Sequence, residues 1–371
     1  MHQYERTLRA LEQYRVMAEN DDGALLAATD EAVEPGAHYA DTPRLIRLLT
    51  SLGDLPADAV PADSDVYDST LVEAVKHFQS RHGLEPDGVI GKATLAQLNT
   101  PLRVRVRQLE RAAELWRRRP YDPARAAIVL NVPEFRLRAF DAGGEDPDLD
   151  MKIVVGQAPD HETPLLRSHL EEVIFRPYWN VPASIQLNEL VPEIARDPKW
   201  VSANHFEMVT PGGEVVGDGP VSGNMLSELS DGELALRQKP GPTNTLGSVK
   251  FLFPNPYGIY MHDTSAKSLF SKVRRDLSHG CIRVERPADL AEWILRKQGG
   301  WTRERIAAAM RGKQPVPVKV GRPIQLVTMY CTAVVMGDGE VHFLPDIYGE
   351  DAASEGELTA SPGARVPVTS Q

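Results

Sequence analysis

The chain has two cysteines, Cys281 and Cys331. The first lies in Ser278-His279-Gly280-Cys281-Ile282-Arg283-Val284, directly after a glycine and two residues after a histidine. A cysteine nucleophile needs thiolate character, access and a nearby base. Two histidines offer that base: His279, and His262, which lies 19 residues before the cysteine in Ile259-Tyr260-Met261-His262-Asp263-Thr264. An Nδ1–H held by a carbonyl or carboxylate would leave Nε2 to take the thiol proton. Asp263 supplies both kinds of acceptor, and the sequence leaves the choice open. Gly280 permits a tight turn, so its amide and that of Cys281 are candidate oxyanion donors. Arg283 could bind a substrate carboxylate or brace the loop. The competing reading is a small buried thiol at a turn, with both histidines satisfying local hydrogen bonds. Residue chemistry alone leaves both readings open.

A metal centre is a weaker reading. His262, Asp263, His279 and Cys281 carry ligand-capable atoms, yet no HExxH helix or Cys-x-x-Cys pair accompanies them. The expectation is therefore no metal and no cofactor. Two cysteines make no disulfide framework. A bond between them would consume the thiol that catalysis needs, so the nucleophile reading expects Cys281 to be free.

The elements that must hold these residues follow from hydrophobic periodicity. The opening residues, through Met17, read as an amphipathic helix without the apolar core of a signal peptide. They suit either a cytosolic protein or the start of a mature chain. Thr42-Pro43 starts a helix carrying Leu45, Leu48, Leu49 and Leu52, which Gly53 ends. Thr70 and Glu73 have capping-box spacing ahead of Leu71, Val75 and Phe78, in a helix closed by His82-Gly83. Asp87-Gly88 turns the chain into a third short helix with Leu95 and Leu98. A further helix is expected over 102–119, where seven arginines crowd the segment; a solvated or interdomain face suits them better than a polyanion.

After Tyr121 the period changes to two. Strands are expected at 127–130, 135–140, 151–155, 173–175, 249–253 and 258–261. Helices are expected at 288–295 and 302–310, and strands at 327–335 and 340–343 as a closing hairpin around Gly337-Asp338-Gly339. The stretch from Pro182 to Asp197, with the glycine-rich 211–223, reads as an irregular insertion over one side of the sheet. Residues 351–371 read as a mobile tail. No strand leads into a GxGxxG turn and helix, so a βαβ dinucleotide fold fits poorly.

The 371 residues suit two or three domains, and 42% hydrophobic content supports real cores. A net charge of −11 argues against a nucleic-acid partner. No apolar run approaches the ~20 residues of a membrane span.

The pair of motifs, IYMHDT and SHGCIRV, resembles the histidine-to-cysteine signature of the L,D-transpeptidases with a YkuD-type catalytic domain. ALRQKPGPTNTLGSVKFLFPN, RVERPADLAEWIL, YWNVPASI and PIQLVTMYCTAVV resemble the large, periplasmic branch of that family. The likeness covers about 126–351. TLVEAVKHFQSRHGLEPDGVIGKATLAQLN, residues 70–99, is similar to a three-helix peptidoglycan-binding domain.

The resemblance implies a multidomain α+β protein. A helical scaffold segment (1–41) and a peptidoglycan-binding-like domain (42–100) precede a linker helix (101–124). A mainly β catalytic domain (125–350) follows, with a cap inserted at about 184–247, and a tail (351–371) ends the chain. It further implies a periplasmic cysteine acyltransferase whose donor and acceptor are peptidoglycan tetrapeptide stems, with cell-wall synthesis proteins as further partners and carbapenems as acylating inhibitors. By family correspondence Cys281 attacks, His262 is the base, and the Asp263 carbonyl orients it. His279 shapes the motif, and the Gly280–Cys281 backbone is the oxyanion region. Arg283, Tyr260 and Ser278 are expected to contact substrate. Some relatives carry asparagine where this chain has Arg283, so an asparagine-based role does not transfer. An L,D-carboxypeptidase and a noncatalytic wall-binding scaffold are the alternatives.

Overall fold

The leucine stripe that the sequence places after Thr42 becomes one wall of a small helical core. The computed structural model describes residues 2–29, 31–59 and 65–351. The helices α1 (His2–Glu19), α2 (Thr42–Leu52), α3 (Ser69–Arg81), α4 (Lys92–Leu98) and α5 (Leu102–Arg117) fill the first part of the chain. Leu45, Leu49, Leu71, Val75 and Phe78 are almost completely buried in one cluster with Tyr67 and Ile90. Asp68, not Thr70, caps α3, its carboxylate accepting from the amides of Thr70 and Leu71. The carboxylate is the stronger acceptor for a helix start, and it displaces the expected capping box by two residues.

The sheet begins with β1 (Ala127–Asn131), β2 (Arg136–Phe140), β3 (Leu149–Gly156) and β4 (Arg167–Phe175). It is interrupted by β5 (Trp179–Asn180), β6 (Phe206–Val209), β7 (Val215–Gly217) and β8 (Ala235–Gln238), which form a separate four-stranded sheet. The main sheet resumes with β9 (Val249–Leu252), β10 (Met261–His262), β11 (Asp276–Ser278), β12 (Ile282–Val284) and β13 (Val316–Met329). Its order is β11-β3-β12-β10-β9-β4-β13-β1-β2, and β2 pairs back onto β3, closing the sheet on itself. Closure leaves the three-residue β11, paired only with β3, as the edge strand of this sheet. The strand β13, 14 residues long, exceeds what the sequence suggested because Pro317, Gly321 and Pro323 mask its period. A register shift between Lys319 and Ile324 absorbs them, as bulges do.

The insertion is more regular than its composition predicts. Besides its sheet it carries short helices, a π-turn at Gln186–Leu190 and an eight-residue helix, Gly223–Ser230. Ile194, Val201, Phe206, Met208, Leu229 and Leu236 give it a core of its own. Its elements run only a few residues between prolines and glycines, too short for a periodicity to declare itself.

Two compact units result: one contains 121–130 and 135–329, the other 1–120, 131–134 and 330–371. Residues 330–350, which the expected catalytic segment included, thus group with the helices. There β14 (Ala333–Val335) and β15 (Val341–Phe343) form the expected hairpin. Arg81, nearly inaccessible, binds the buried Asp54 carboxylate through Nε at 2.6 Å and donates to the Val341 carbonyl at 2.9 Å. The α5 arginines also serve this unit: Arg105 lies 4.8 Å from the Phe343 ring centroid, and Arg111 pairs with Asp351 at 2.9 Å. The expected tail lies, apart from Asp351, outside the described residues. Among the described residues no helix is long and apolar enough to cross a membrane.

Candidate active site

Strand register brings the two motifs together. β10 runs parallel to β12, with Met261 opposite Ile282 and His262 opposite Arg283. On its other side β10 runs antiparallel to β9, with Met261 opposite Phe251 and His262 opposite Lys250. Met261, Ile282 and Phe251 are fully buried and form one face of the sheet. Side chains alternate along a strand, so Tyr260, His262, Lys250, Arg283 and, two residues earlier, Cys281 share the other face. Ile282 N–H donates to the Tyr260 carbonyl at 3.0 Å, fixing Cys281 beside Tyr260.

The nucleophile turn is held from several directions. Gly280 has φ +101°, a region closed to most side chains. Ser278 Oγ donates to the Cys281 carbonyl at 2.6 Å, and Thr163 Oγ1 donates to the Gly280 carbonyl at 2.9 Å. The same Thr163 oxygen accepts from Gly156 N–H at 2.8 Å, linking the turn to the end of β3. A Cβ on Gly156 would lie 1.7 Å from the His161 carbonyl oxygen and 2.9 Å from Gly280 Cα, so the backbones pass with no room for a side chain. Among the described residues the N–H groups of Gly280 and Cys281 donate to no backbone acceptor.

His262 is 3% exposed, and its Nδ1–H donates to the Asp263 carbonyl. The open choice of acceptor is thereby settled in favour of the carbonyl. Nε2 is left as the lone-pair nitrogen. Burial, then the charges of Arg283 and Lys250, hold the imidazole pKa down to about 3, against a weaker opposing pull from Asp263. The Asp263 carboxylate is engaged elsewhere, accepting from Ser248 N–H at 2.9 Å, Ser248 Oγ at 2.7 Å, Thr264 N–H at 2.7 Å and Lys267 Nζ at 2.5 Å. Burial pushes the Cys281 thiol up, opposed by hydrogen bonds from Tyr260 and by the charges of Lys250 and Arg283. Both shifts favour the uncharged forms, a thiol at Cys281 and a neutral imidazole at His262. Both cysteines are free.

The remaining expected residues divide. Tyr260 lies between the thiol and the insertion: it interacts electrostatically with Cys281 and Trp179 and packs on the insertion's core. Arg283 Nε is buried without a hydrogen-bond partner. Ser278, expected to contact substrate, is buried and spends its hydroxyl on the turn. His279, expected among the catalytic groups, points its Nε2 at Glu189 of the insertion, 2.8 Å away, with its ring 4.7 Å from that of His161. Sequence reasoning missed Lys250 and Thr163. Lys250 had a signal: it is the one cation in Val249–Leu252, offset by one position from the buried Val249 and Phe251.

The YkuD family, the L,D-transpeptidase catalytic domain, matches residues 125–325, just over half the chain. A peptidoglycan binding domain family matches 40–98. A Haemophilus influenzae protein bearing the L,D-transpeptidase name is 33% identical over 226 residues, 60% of this chain and 44% of that protein. The chain therefore spans less than half the length of that curated relative. Among solved structures, an L,D-transpeptidase from Xylanimonas cellulosilytica aligns at 13% identity and TM-score 0.24, covering 82% of this chain and 100% of that one. L,D-transpeptidase 3 of Mycobacterium tuberculosis, in complex with a faropenem-derived adduct, aligns at 14% and 0.25, covering 55% and 60%. On its matched domains, this chain belongs to the YkuD family of L,D-transpeptidases.

Proposed function

We propose that this protein forms 3–3 peptidoglycan crosslinks through a thioester on Cys281, with a tetrapeptide stem ending in diaminopimelate and D-alanine as donor. The observation that carries the proposal is the shared sheet face of Cys281 and a neutral His262 whose Nδ1–H is fixed on the Asp263 carbonyl. His262 Nε2 accepts the thiol proton as sulfur attacks the diaminopimelate carbonyl. The unspent amides of Gly280 and Cys281 meet the oxyanion, and losing one such donor typically costs about 3 kcal/mol of transition-state stabilisation. Collapse breaks the amide bond, and the His262 proton goes to the departing D-alanine amine. A diaminopimelate side-chain amine of a second stem then attacks the thioester, surrenders a proton to His262, and expels the Cys281 thiolate, which recovers it.

The helical unit, within which the peptidoglycan-binding family matches, would hold the wall polymer, and a substrate of that kind supports a periplasmic location. The insertion acts as a lid that excludes water from the thioester and favours the amine. Its contacts through Glu189 and Trp179 to the nucleophile's neighbours support that role. Shortening the lid without unfolding the sheet is expected to raise hydrolysis relative to crosslinking.

The test is incubation of the purified protein with defined tetrapeptide stems and mass analysis of the products. A crosslinked dimer with released D-alanine supports transfer, and a tripeptide alone identifies an L,D-carboxypeptidase. Cys281→Ala is expected to remove turnover while keeping the fold; retained turnover refutes the assigned nucleophile.

A further inference from the structure

Among the described residues the site face carries two cations, Lys250 and Arg283, with no acidic side chain paired to either. Lys250 Nζ lies 3.7 Å from the Tyr260 ring centroid and, among the described residues, has no hydrogen-bond or ion-pair partner. Arg283 Nε is buried and equally unpartnered. Both flank His262 in register, Lys250 from β9 and Arg283 from β12. Asp263, the acid adjoining His262, has its carboxylate filled by Ser248, Thr264 and Lys267. Burial pulls both cations' pKa values down, and only Cys281 opposes it. Desolvated cations without an anion are costly, and a site keeps them where a ligand supplies the missing charge. Burial also works against a Cys281 thiolate, which makes the thiol a poor resting source of that charge.

We propose that Lys250, together with Arg283, forms a carboxylate anchor beside Cys281 that reads the free C-terminal carboxylate of the residue released in the first step. This deepens, and rests on, the acyl-transfer proposal above. In a donor ending in D-alanine, that carboxylate lies two bonds beyond the scissile nitrogen. Arg283 lies two residues along the thiol's own strand and Lys250 lies across β10, so both cations share the thiol's face of the sheet and can meet that carboxylate while sulfur attacks the preceding carbonyl. The anchor makes the protein selective for the last peptide bond of a stem, because a longer or amidated stem brings no charge there. An ammonium on a flexible stem contributes charge, and the guanidinium adds directional N–H groups.

The experiment compares two donors, a tetrapeptide stem ending in D-alanine and the same stem ending in D-alaninamide, with wild-type, Lys250→Met and Lys250→Arg full-length protein. The wild type is expected to favour the carboxylate donor in kcat/KM by on the order of tenfold to a hundredfold, the range for one charge-assisted hydrogen bond. Lys250→Met should bring that ratio close to one, and Lys250→Arg should keep most of it. A ratio that Lys250→Met leaves unchanged overturns the anchor; so does equal use of both donors by the wild type. Equal loss on both donors would assign Lys250 to stabilising the thiolate instead. A binding titration with N-acetyl-D-alanine and its amide decides the matter without turnover. Preference for the acid that is lost in Lys250→Met supports the anchor even where no donor reacts, and in that case the transfer proposal falls alone. Equal binding of acid and amide sinks the anchor and leaves the transfer proposal standing.

Discussion

Charging His262 is the perturbation that tests the base assignment most directly. An imidazole with an ordinary pKa of ~6.5 is only about 3% neutral at pH 5, so a base of that kind would lose ~30-fold in rate between pH 7.5 and 5. With its pKa held to about 3, His262 stays about 99% neutral at pH 5. Acylation of Cys281 by a carbapenem-class β-lactam, followed as a single-turnover mass shift, should therefore differ less than about twofold between the two pH values. The same group has a stability signature. Its folded pKa lies below the unfolded value, so between pH ~6.5 and ~3 the unfolded chain binds a proton the native site refuses. Stability is unaffected above that window and falls as pH drops through it, by up to ~1.4 kcal/mol per pH unit and roughly 5 kcal/mol in all. Hydrogen exchange of the β9 amides should show this acid-side slope in the wild type and lose it in His262→Gln. A ~30-fold fall in acylation at pH 5, or equal slopes in the two proteins, would refute the assignment of a neutral buried base.

Three further outcomes are expected. Gly247 has φ +62°, and a Cβ there would lie 2.4 Å from Asp263 Oδ2; Gly247→Ala should lower the melting temperature and, by shifting Asp263, slow Cys281 acylation. Asp54→Asn strands the buried Arg81 and should cost the helical unit about 3–5 kcal/mol in urea unfolding. Cys331 is buried with its pKa pushed up to about 12, whereas Cys281 is partly exposed. Mass spectrometry after iodoacetamide treatment of the native protein should find one label, on Cys281, and two after denaturation.

Much of this was legible in the residues. The leucines of α2, the alternation of β2 and the paired motifs each carry a local signal, and the structure places all of them as elements of the expected kind. What was hidden depended on partners distant in sequence. Thr163 matters because it touches Gly156 and Gly280, 117 residues apart from the latter. Lys250 matters because antiparallel pairing sets it opposite His262. His279 neighbours the cysteine in sequence, yet the turn at Gly280 sends its ring to Glu189. The split at Met329–Tyr330 follows packing, and no composition shift marks it.

The parallel pairing of β10 with β12 means that the connecting residues, 263–280, do not themselves measure the gap between base and nucleophile; two adjacent backbones do. Lengthening that crossover, or cutting it and joining the chain elsewhere, would preserve the spacing. A single-residue slip of either strand would instead send one partner to the opposite side of the sheet. Variation in this region is thus constrained by parity, and length is comparatively free.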